Sequence, residues 1–502
     1  MVQRCVKWKN IVAYGAADLF GNSCMAVIAT WMLYFYTTFC GLSPIEAGSI
    51  LGIVRISDAF TSPIIGYITD HFGNTWLGRK FGRRRFFILL GCPLMVLYIL
   101  PWVTNMGYLY YLFTYLILDI LSAVVMIPYE TLAAEMTTDF DVRTKMTSSR
   151  MLFSAVATFL SVWLPARMFG IFGKDNPDAF LYNAIVLMGI FIVALLVTYF
   201  FTWDRPASEV KENQKSDTPI KYFINMFREM GSVFRVKSYV LHLIIYLFSF
   251  TARDMIGTVY VFFVVYAMQS DQITAANIMT LGAVVGIPCN LIWPKLISRM
   301  GPSRLLQVMY ALMVGTVCLY GVLYVSPWAA NVTMSINALY VLQVAWGVAN
   351  SGTGYVPWTV YTFIPDVDEI ITKQRREGLF AGVMTFSRKT TSALAPLITG
   401  IVLEETGFIK GAQVQTQSSL DYMVLYMVAA TCVLIVVAFA TTYFFKLTKE
   451  NHEILIAEIT RLKNGGEMEA VNEKTQAVVE NLTGFKYKNL WGHNTVVGRS
   501  LD

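Results

Sequence analysis

Twelve stretches of about twenty mostly apolar residues run through this chain, and each is long enough to cross the hydrocarbon core of a bilayer as a helix. They lie near 11–38, 44–69, 86–104, 107–135, 149–171, 180–202, 239–268, 274–298, 304–326, 333–362, 379–403 and 421–446. Lipid offers backbone N–H and C=O groups no partners, so a spanning segment must satisfy its own, which apolar runs of this length do as helices. The expected fold class is an all-α membrane protein of twelve transmembrane helices. Composition agrees: of 502 residues 56% are hydrophobic and 14% charged, against about 25% charged in soluble domains. Mean hydropathy is +0.53. A disordered chain and a basic nucleic-acid binder are excluded. Residues 1–10 lack a signal-peptide layout, so the first run is expected to stay as an anchor.

Loops between the runs are short except near 203–238, a polar stretch that reads as a solvated linker. The expected organisation is an N-terminal six-helix half (1–202), a cytoplasmic linker (203–238), a second six-helix half (239–447) and a cytoplasmic tail (448–502). Lys and Arg sort by loop. Arg79, Lys80, Arg83, Arg84 and Arg85 follow run two, and Lys373, Arg375 and Arg376 follow run ten, whereas the loops after runs one, three, seven and nine hold none. By the positive-inside rule both termini are expected in the cytoplasm, in a multi-pass protein of the cell membrane. The net charge of +6 follows from this sorting and needs no nucleic acid. In the tail, Leu455, Ile456, Ile459 and Leu462 share one face of a short amphipathic helix predicted over 451–463.

The halves repeat weakly. Gly66 to Asp70 and Gly82-Arg83-Arg84-Arg85 after run two have a counterpart in Gly301-Pro-Ser-Arg304; Asp139-Phe-Asp141-Val-Arg143 after run four is matched by Asp366-Val-Asp368-Glu369 after run ten. Many transporters show such repetition, with the site between the halves at mid-membrane. Asp70, Arg79, Arg83, Arg84, Arg85, Asp139, Arg143, Asp366, Asp368 and Arg375 are expected to form cytoplasmic gates that latch one face. The plainer reading of these loops is topology plus a turn.

Charges inside the runs carry the functional signal, because a charge at a span centre costs about 2.5–3.5 kcal/mol on insertion scales. Asp18, Asp58, Asp119, Glu130 and Asp254 are such acids; Arg55, Arg253, Arg150, Arg388 and Lys389 are the available bases. Arg55 and Asp58 are three residues apart and share a helix face. Thr61, Ser62 and Pro63 follow Asp58, so a carboxylate beside hydroxyls could hold a proton or a cation. Tyr355 and Trp358 lie in Ser351-Gly-Thr-Gly-Tyr-Val-Pro-Trp358, read as a local helix break, where an aromatic plate with nearby carboxylates suits a sugar.

Five motifs stand in order: Tyr14-Gly-Ala-Ala-Asp18, Asp58-Ala-Phe-Thr-Ser-Pro63, Gly82-Arg-Arg-Arg85, Ile127-Pro-Tyr129 and Arg375-Arg-Glu-Gly378. Over about residues 10–447 they resemble the glycoside–pentoside–hexuronide:cation symporters, the group of the melibiose permease. The resemblance implies the major facilitator fold and carriage of sugars with H+, Na+ or Li+. It aligns Asp58 with the family's cation-site aspartate, Arg55 with an arginine one turn before it, Arg150 with an arginine bordering the sugar pocket, Lys389 with a lysine near both sites, and Trp358 with a sugar-contacting tryptophan. Departures are equally specific. The family's second cation-site aspartate is Ser62 here, its span-one pocket aspartate is Asn22, with Asp18 one turn earlier, and its span-four aspartate is Met126, with Asp119 two turns upstream. One carboxylate plus hydroxyls suits H+ better than Na+.

The expected site is therefore Asp58, Thr61, Ser62, Arg55 and Lys389 for the coupling ion and Asp18, Asn22, Asp119, Arg150, Tyr355 and Trp358 for the sugar. Fewer acids than the family pattern, and several bases, fit an anionic, uronate-bearing glycoside. No cofactor, metal site or enzyme motif is read: the seven Cys and four His show no ligand spacing. The expected partners are a sugar and the bilayer, around a monomer. The rival reading is a sugar sensor that signals through its tail.

Overall fold

Among the described residues, eleven helices are long and apolar enough to span a bilayer. The computed structural model describes residues 5–137, 139–204, 228–327, 331–374 and 376–494, and leaves out the side chains of residues 70, 71, 74, 134, 140, 141 and 144. Most of the expected linker (205–227) lies outside the described residues. Six spans come first: α1 Trp8–Thr38, α2 Pro44–His71, α3 Arg85–Trp102, α4 Tyr108–Met136, α5 Phe140–Phe172 and α6 Asp178–Phe201. Then follow α7 Lys237–Ala267, α8 Gln272–Met300, α9 Pro302–Val325, α10 Val332–Tyr361, the short α11 Ile364–Thr372, the pair α12 Glu377–Ser392 and α13 Leu394–Glu405, and α14 Gln417–Phe444. Among the described residues there is no strand.

The eleventh predicted run is the pair α12–α13. Its backbone stays helical through Ala393 (φ −69°, ψ −27°), but Pro396 has no N–H to give, so the hydrogen-bond ladder lapses there. Ends are set by local chemistry. Ser43 and Glu46 form a capping box on α2, and Asp139, Asp271 and Thr416 cap α5, α8 and α14. Gly301, at φ +80°, is the single-residue turn between α8 and α9. The repeat of the halves is structural too: α1 and α7 each carry a π-helical turn near the C-terminal end, at Ile28–Met32 and Phe263–Ala267.

α1 and α7 meet at those C-terminal ends, through Tyr34 against Phe262 and Thr38 against Tyr266 (3.2 Å). Their N-terminal ends therefore lie together at the opposite end of the bundle. There Asn10 donates to the carbonyl of Phe201 (2.7 Å), and Ser238 donates to the carbonyl of Leu482 in the tail (2.6 Å). We call this the tail end. The other end is sealed by backbone. α2 packs along α13, and a Cβ on Gly400 would sit 2.3 Å from the Pro44 carbonyl oxygen, one on Gly48 2.6 Å from that of Pro396. Gln272 donates to Tyr34 (2.7 Å), and Gly411 N–H to Thr37 (3.2 Å), across the same seam.

The tail is more than the predicted helix. α15 Lys449–Lys463 buries Leu455, Ile459 and Leu462 as expected, but Ile456, turned off that face, is 37% exposed. A second helix, α16 Glu473–Thr483, packs on α15 and on the start of α7. A strap then runs over α11: the N–H groups of Trp491 and Gly492 donate to the carbonyls of Ile370 and Ile371 (2.7 and 2.9 Å), which end a helix and lack internal donors. Burial raises the Glu458 carboxyl, but hydrogen bonds from Arg461 and Tyr487 outweigh that and hold it below its ordinary value. The cysteines are free; Cys24, Cys40 and Cys92 are buried as core residues, but Cys5 and Cys318 are exposed.

Two outcomes follow from this packing. Gly400→Val should force α2 and α13 apart, so that the protein still reaches the membrane but a cysteine probe introduced beside Tyr34 becomes accessible to thiol reagent from the sealed end; unchanged labelling would refute the seal. A carboxyl held low stabilises the fold above its ordinary value of 4.5 and loses that contribution as pH falls through the folded value. Glu458→Gln should therefore lower the melting temperature at pH 7, and the gap between variant and wild type should narrow as pH falls below 4.5.

Candidate functional site

Between the halves lies a cavity of about 850 Å³, within the range of small-molecule sites. Five carboxylates (Asp18, Asp58, Asp119, Glu130, Asp254) and five cations (Arg55, Arg150, Arg253, Arg388, Lys389) line it. Acids and bases on its wall are thus equal in number. Towards the tail end its wall is exposed: Met151 is 63% exposed.

Its first wall is α1 against α5. Arg150 donates to both oxygens of Asp18 (3.0 and 3.3 Å) and to Glu130 (3.2 Å), and lies 5.1 Å over the Tyr129 ring. Asn22 donates to the Ser154 carbonyl (2.8 Å) and to Thr158 (2.9 Å). Gly15 lets the two helices approach, since a Cβ there would be 2.3 Å from the Ser149 hydroxyl oxygen.

At the centre the halves are bridged. Lys389, in the last turn of α12, donates to Asp58 on α2 (2.7 Å) and to Ser62, whose hydroxyl donates to the same Asp58 oxygen (2.8 Å). A cation in a helix's last turn is also favoured by the helix dipole. The adjacent Arg388 turns the other way, to Asp254 of α7 (2.8 Å), within its own half. Arg55, which shares a helix face with Asp58, points to the Met25 sulfur (3.1 Å). Asp119 is 2% exposed, and neither of its oxygens has a hydrogen-bond partner among the described residues.

Three expected site residues stand elsewhere. Thr61 turns its hydroxyl to the Asp58 backbone carbonyl (3.4 Å) and does not line the cavity. α10 runs unbroken through Pro357, so the predicted discontinuity is not there; the ladder lapses at Pro396 instead. α10 presents Gln343, Trp346, Gly347 and Asn350 to the cavity. At about 100° per residue Tyr355 is turned some 140° from Asn350. Trp358 lies about 12 Å further along the axis, where it is 50% exposed and packs on Tyr246. Trp346, about three turns before Trp358, was missed because no proline stands near it in the sequence. The Asp254–Arg388 pair was visible as two opposite intramembrane charges whose contact only the fold reveals.

Several of the expected gates have described partners close by in the chain or in the tail. Arg83 pairs with Glu135 (2.6 Å), with Arg84 3.5 Å from the same carboxylate. Arg85 donates to the Tyr199 carbonyl and stacks on that ring (4.4 Å). The backbone N–H groups of Arg84 and Arg85 bond Asp204, whose carboxyl burial nonetheless holds above its ordinary value. Asp139 caps α5, and Arg143 donates to the Thr137 carbonyl (2.7 Å). Asp368 takes two bonds from Arg376 (2.7 and 2.6 Å), and Asp366 meets His452 of the tail (2.8 Å). Arg79 is exposed. Arg375 and the Asp70 side chain lie outside the described residues.

Residues 13–449 match the family described as MFS/sugar transport protein. An uncharacterized symporter, YnaJ of Bacillus subtilis, is 28% identical, the match covering 89% of this chain and 94% of that one. The glucuronide carrier protein homolog of Escherichia coli is 24% identical over 91% and 96%. The crystal structure of a D-xylose–proton symporter superposes with a TM-score of 0.61 at 12% identity, covering 86% of this chain and 96% of that one. The chain belongs to the glycoside–pentoside–hexuronide symporters of the major facilitator superfamily, and it is a sugar transporter of the symport type rather than an enzyme.

The two tryptophans of α10 give a direct check. Trp346→Ala should cut sugar uptake at least tenfold, and Trp358→Ala should cost far less; the reverse order, measured on reconstituted protein, would move the site towards the tail end.

Proposed function

We propose that this protein is a proton-coupled symporter of sugars or glycosides, uronate-bearing ones among them, working by alternating access between the two halves with both termini in the cytoplasm. The observation that carries the reading is the Lys389–Asp58 bridge, which ties the halves together inside the cavity. While Asp58 is ionised, its attraction for Lys389 holds α2 to α12. Protonation removes the charge that Lys389 binds and leaves the ammonium free for the substrate, so the proton and the inter-half link compete for one carboxylate. A carrier that changes shape only when both partners or neither are aboard is a symporter.

H+ is favoured over Na+ for a chemical reason. Na+ seeks several oxygens, and here an ammonium and a hydroxyl already take up Asp58. Asp119 supports the same reading: a buried carboxyl without donors is cheapest when neutral, which makes it a neighbouring resting place for a proton. Asp18, Asn22 and Arg150 offer the donors and acceptors that sugar hydroxyls need. The relative named for glucuronide supports a uronate substrate. Asp70, Arg79, Arg83–Arg85, Asp139, Arg143, Asp366, Asp368 and Arg375 act in this reading as cytoplasmic gates when the tail end closes.

The test is uptake by proteoliposomes under an imposed pH gradient and, separately, a Na+ gradient. Uptake should follow pH alone, and Asp58→Asn should abolish accumulation against a gradient while leaving the protein folded. Accumulation by the variant at the wild-type level would sink the assignment, and uptake driven only by Na+ would sink the proton.

A further inference from the structure

We infer that Arg253 is the receptor for one negative charge on the substrate, a carboxylate or sulfonate borne by the sugar. The inference rests on the symport reading for the transport cycle, and on geometry for the charge.

Phe250, Arg253 and Asp254 of α7 and Arg388 of α12 line the cavity together. Both guanidinium groups lie over the same ring, Arg253 at 4.6 Å and Arg388 at 5.2 Å from its centre. Two like charges lie against one aromatic ring, and one carboxylate, Asp254, is there to offset them. Arg388 holds that carboxylate. Arg253 makes no hydrogen bond and no ion pair among the described residues. Arg150 has Asp18 and Glu130, and Lys389 has Asp58; Arg55, like Arg253, has no ion pair among the described residues, but it donates to the Met25 sulfur and has Asp119 and Asp58 near it, whereas the carboxylate next to Arg253 is the one Arg388 already holds. A guanidinium offers five donors in a fork that matches a carboxylate, and an unpaired charge at membrane depth is retained for a function.

α10 gives Arg253 its place. A Cβ on Gly354 would come within 2.9 Å of Nη1 and 3.5 Å of Cζ of Arg253, so the glycine is a notch in which the guanidinium lies. This accounts for Gly354 in an unbroken helix. The Asp18–Arg150 wall belongs to the other half, so a substrate reaching both would join a neutral, hydroxyl-reading side to an anion-reading side.

The experiment uses the purified full-length protein and matched glycoside pairs that differ only at the ring's exocyclic carbon: glucoside and glucuronide, galactoside and galacturonide, and a 6-sulfonate of each. Binding is followed by calorimetry and uptake by proteoliposomes. Wild-type protein should prefer an anionic member, and the arms tell carboxylate from sulfonate. Arg253→Gln should lower the anionic-to-neutral affinity ratio by about tenfold to a hundredfold, the range for a hydrogen bond to a charged group. Arg253→Lys should restore part of it, and Gly354→Ala, which leaves the charge but displaces it, should lower it as well. Equal losses for both members in Arg253→Gln, or a wild type without preference for any anionic member, would overturn the inference. Selective anion binding without gradient-driven uptake would keep the site and remove the symport reading; coupled uptake of neutral sugars alone would do the reverse.

Discussion

A charge in the low-dielectric interior of a bilayer is tolerated when another charge or a hydrogen bond answers it, and this cavity is built around that constraint. Its wall holds five carboxyl side chains and five Arg or Lys side chains. Neighbouring residues of α12 serve opposite partners: Arg388 binds α7 in its own half, and Lys389 binds α2 in the other. Successive residues on a helix point about 100° apart, so one short segment braces its own half and clasps its counterpart. The lapse in the ladder at Pro396, about two turns on, separates that segment from the part of α13 that glycine contacts fix at the sealed end.

The two ends of the bundle are held differently. At the sealed end α2 meets α13 backbone to backbone, while at the tail end the named ion pairs run inside each half. The tail adds to this asymmetry. It docks on α7 and α11, which belong to the second half, and its strap satisfies the end of α11. Rocking of the halves would thus move a plain first half against a second half thickened by two helices.

Much of the architecture was legible because it depends on length and periodicity. The twelve apolar runs predict observed helix ends to within a few residues, except at the start of α5, where the helix begins at Phe140 rather than 149; the extra turns are polar and lie before the apolar run. Asp58, Lys389, Asp18, Arg150, Asn22 and Asp119 all reach the cavity, since intramembrane charge is a strong signal whatever the partner. Partner choice was not legible. Arg55 shares a face with Asp58, yet the carboxylate binds Lys389, 331 residues away in sequence. Trp358 and Tyr355 misled because glycine and proline mark local freedom, not depth. α16 and the Trp491 strap were missed because a short helix and main-chain bonds leave almost no apolar period to read.

The glycine seam has an electrical consequence. Gly48, Gly400, Pro44 and Pro396 meet through neutral backbone and carbon atoms. The charged groups beside that seam are Glu46, turned back to cap α2, and Glu404 and Lys410, exposed at its rim. A transmembrane voltage does work in proportion to the charge displaced through the field, about 2.3 kcal/mol per elementary charge per 100 mV. Opening this seam displaces almost none, so the membrane potential has no grip on it. Voltage can act on such a machine through the charged cavity and the charged tail end, but has little hold on the glycine seam.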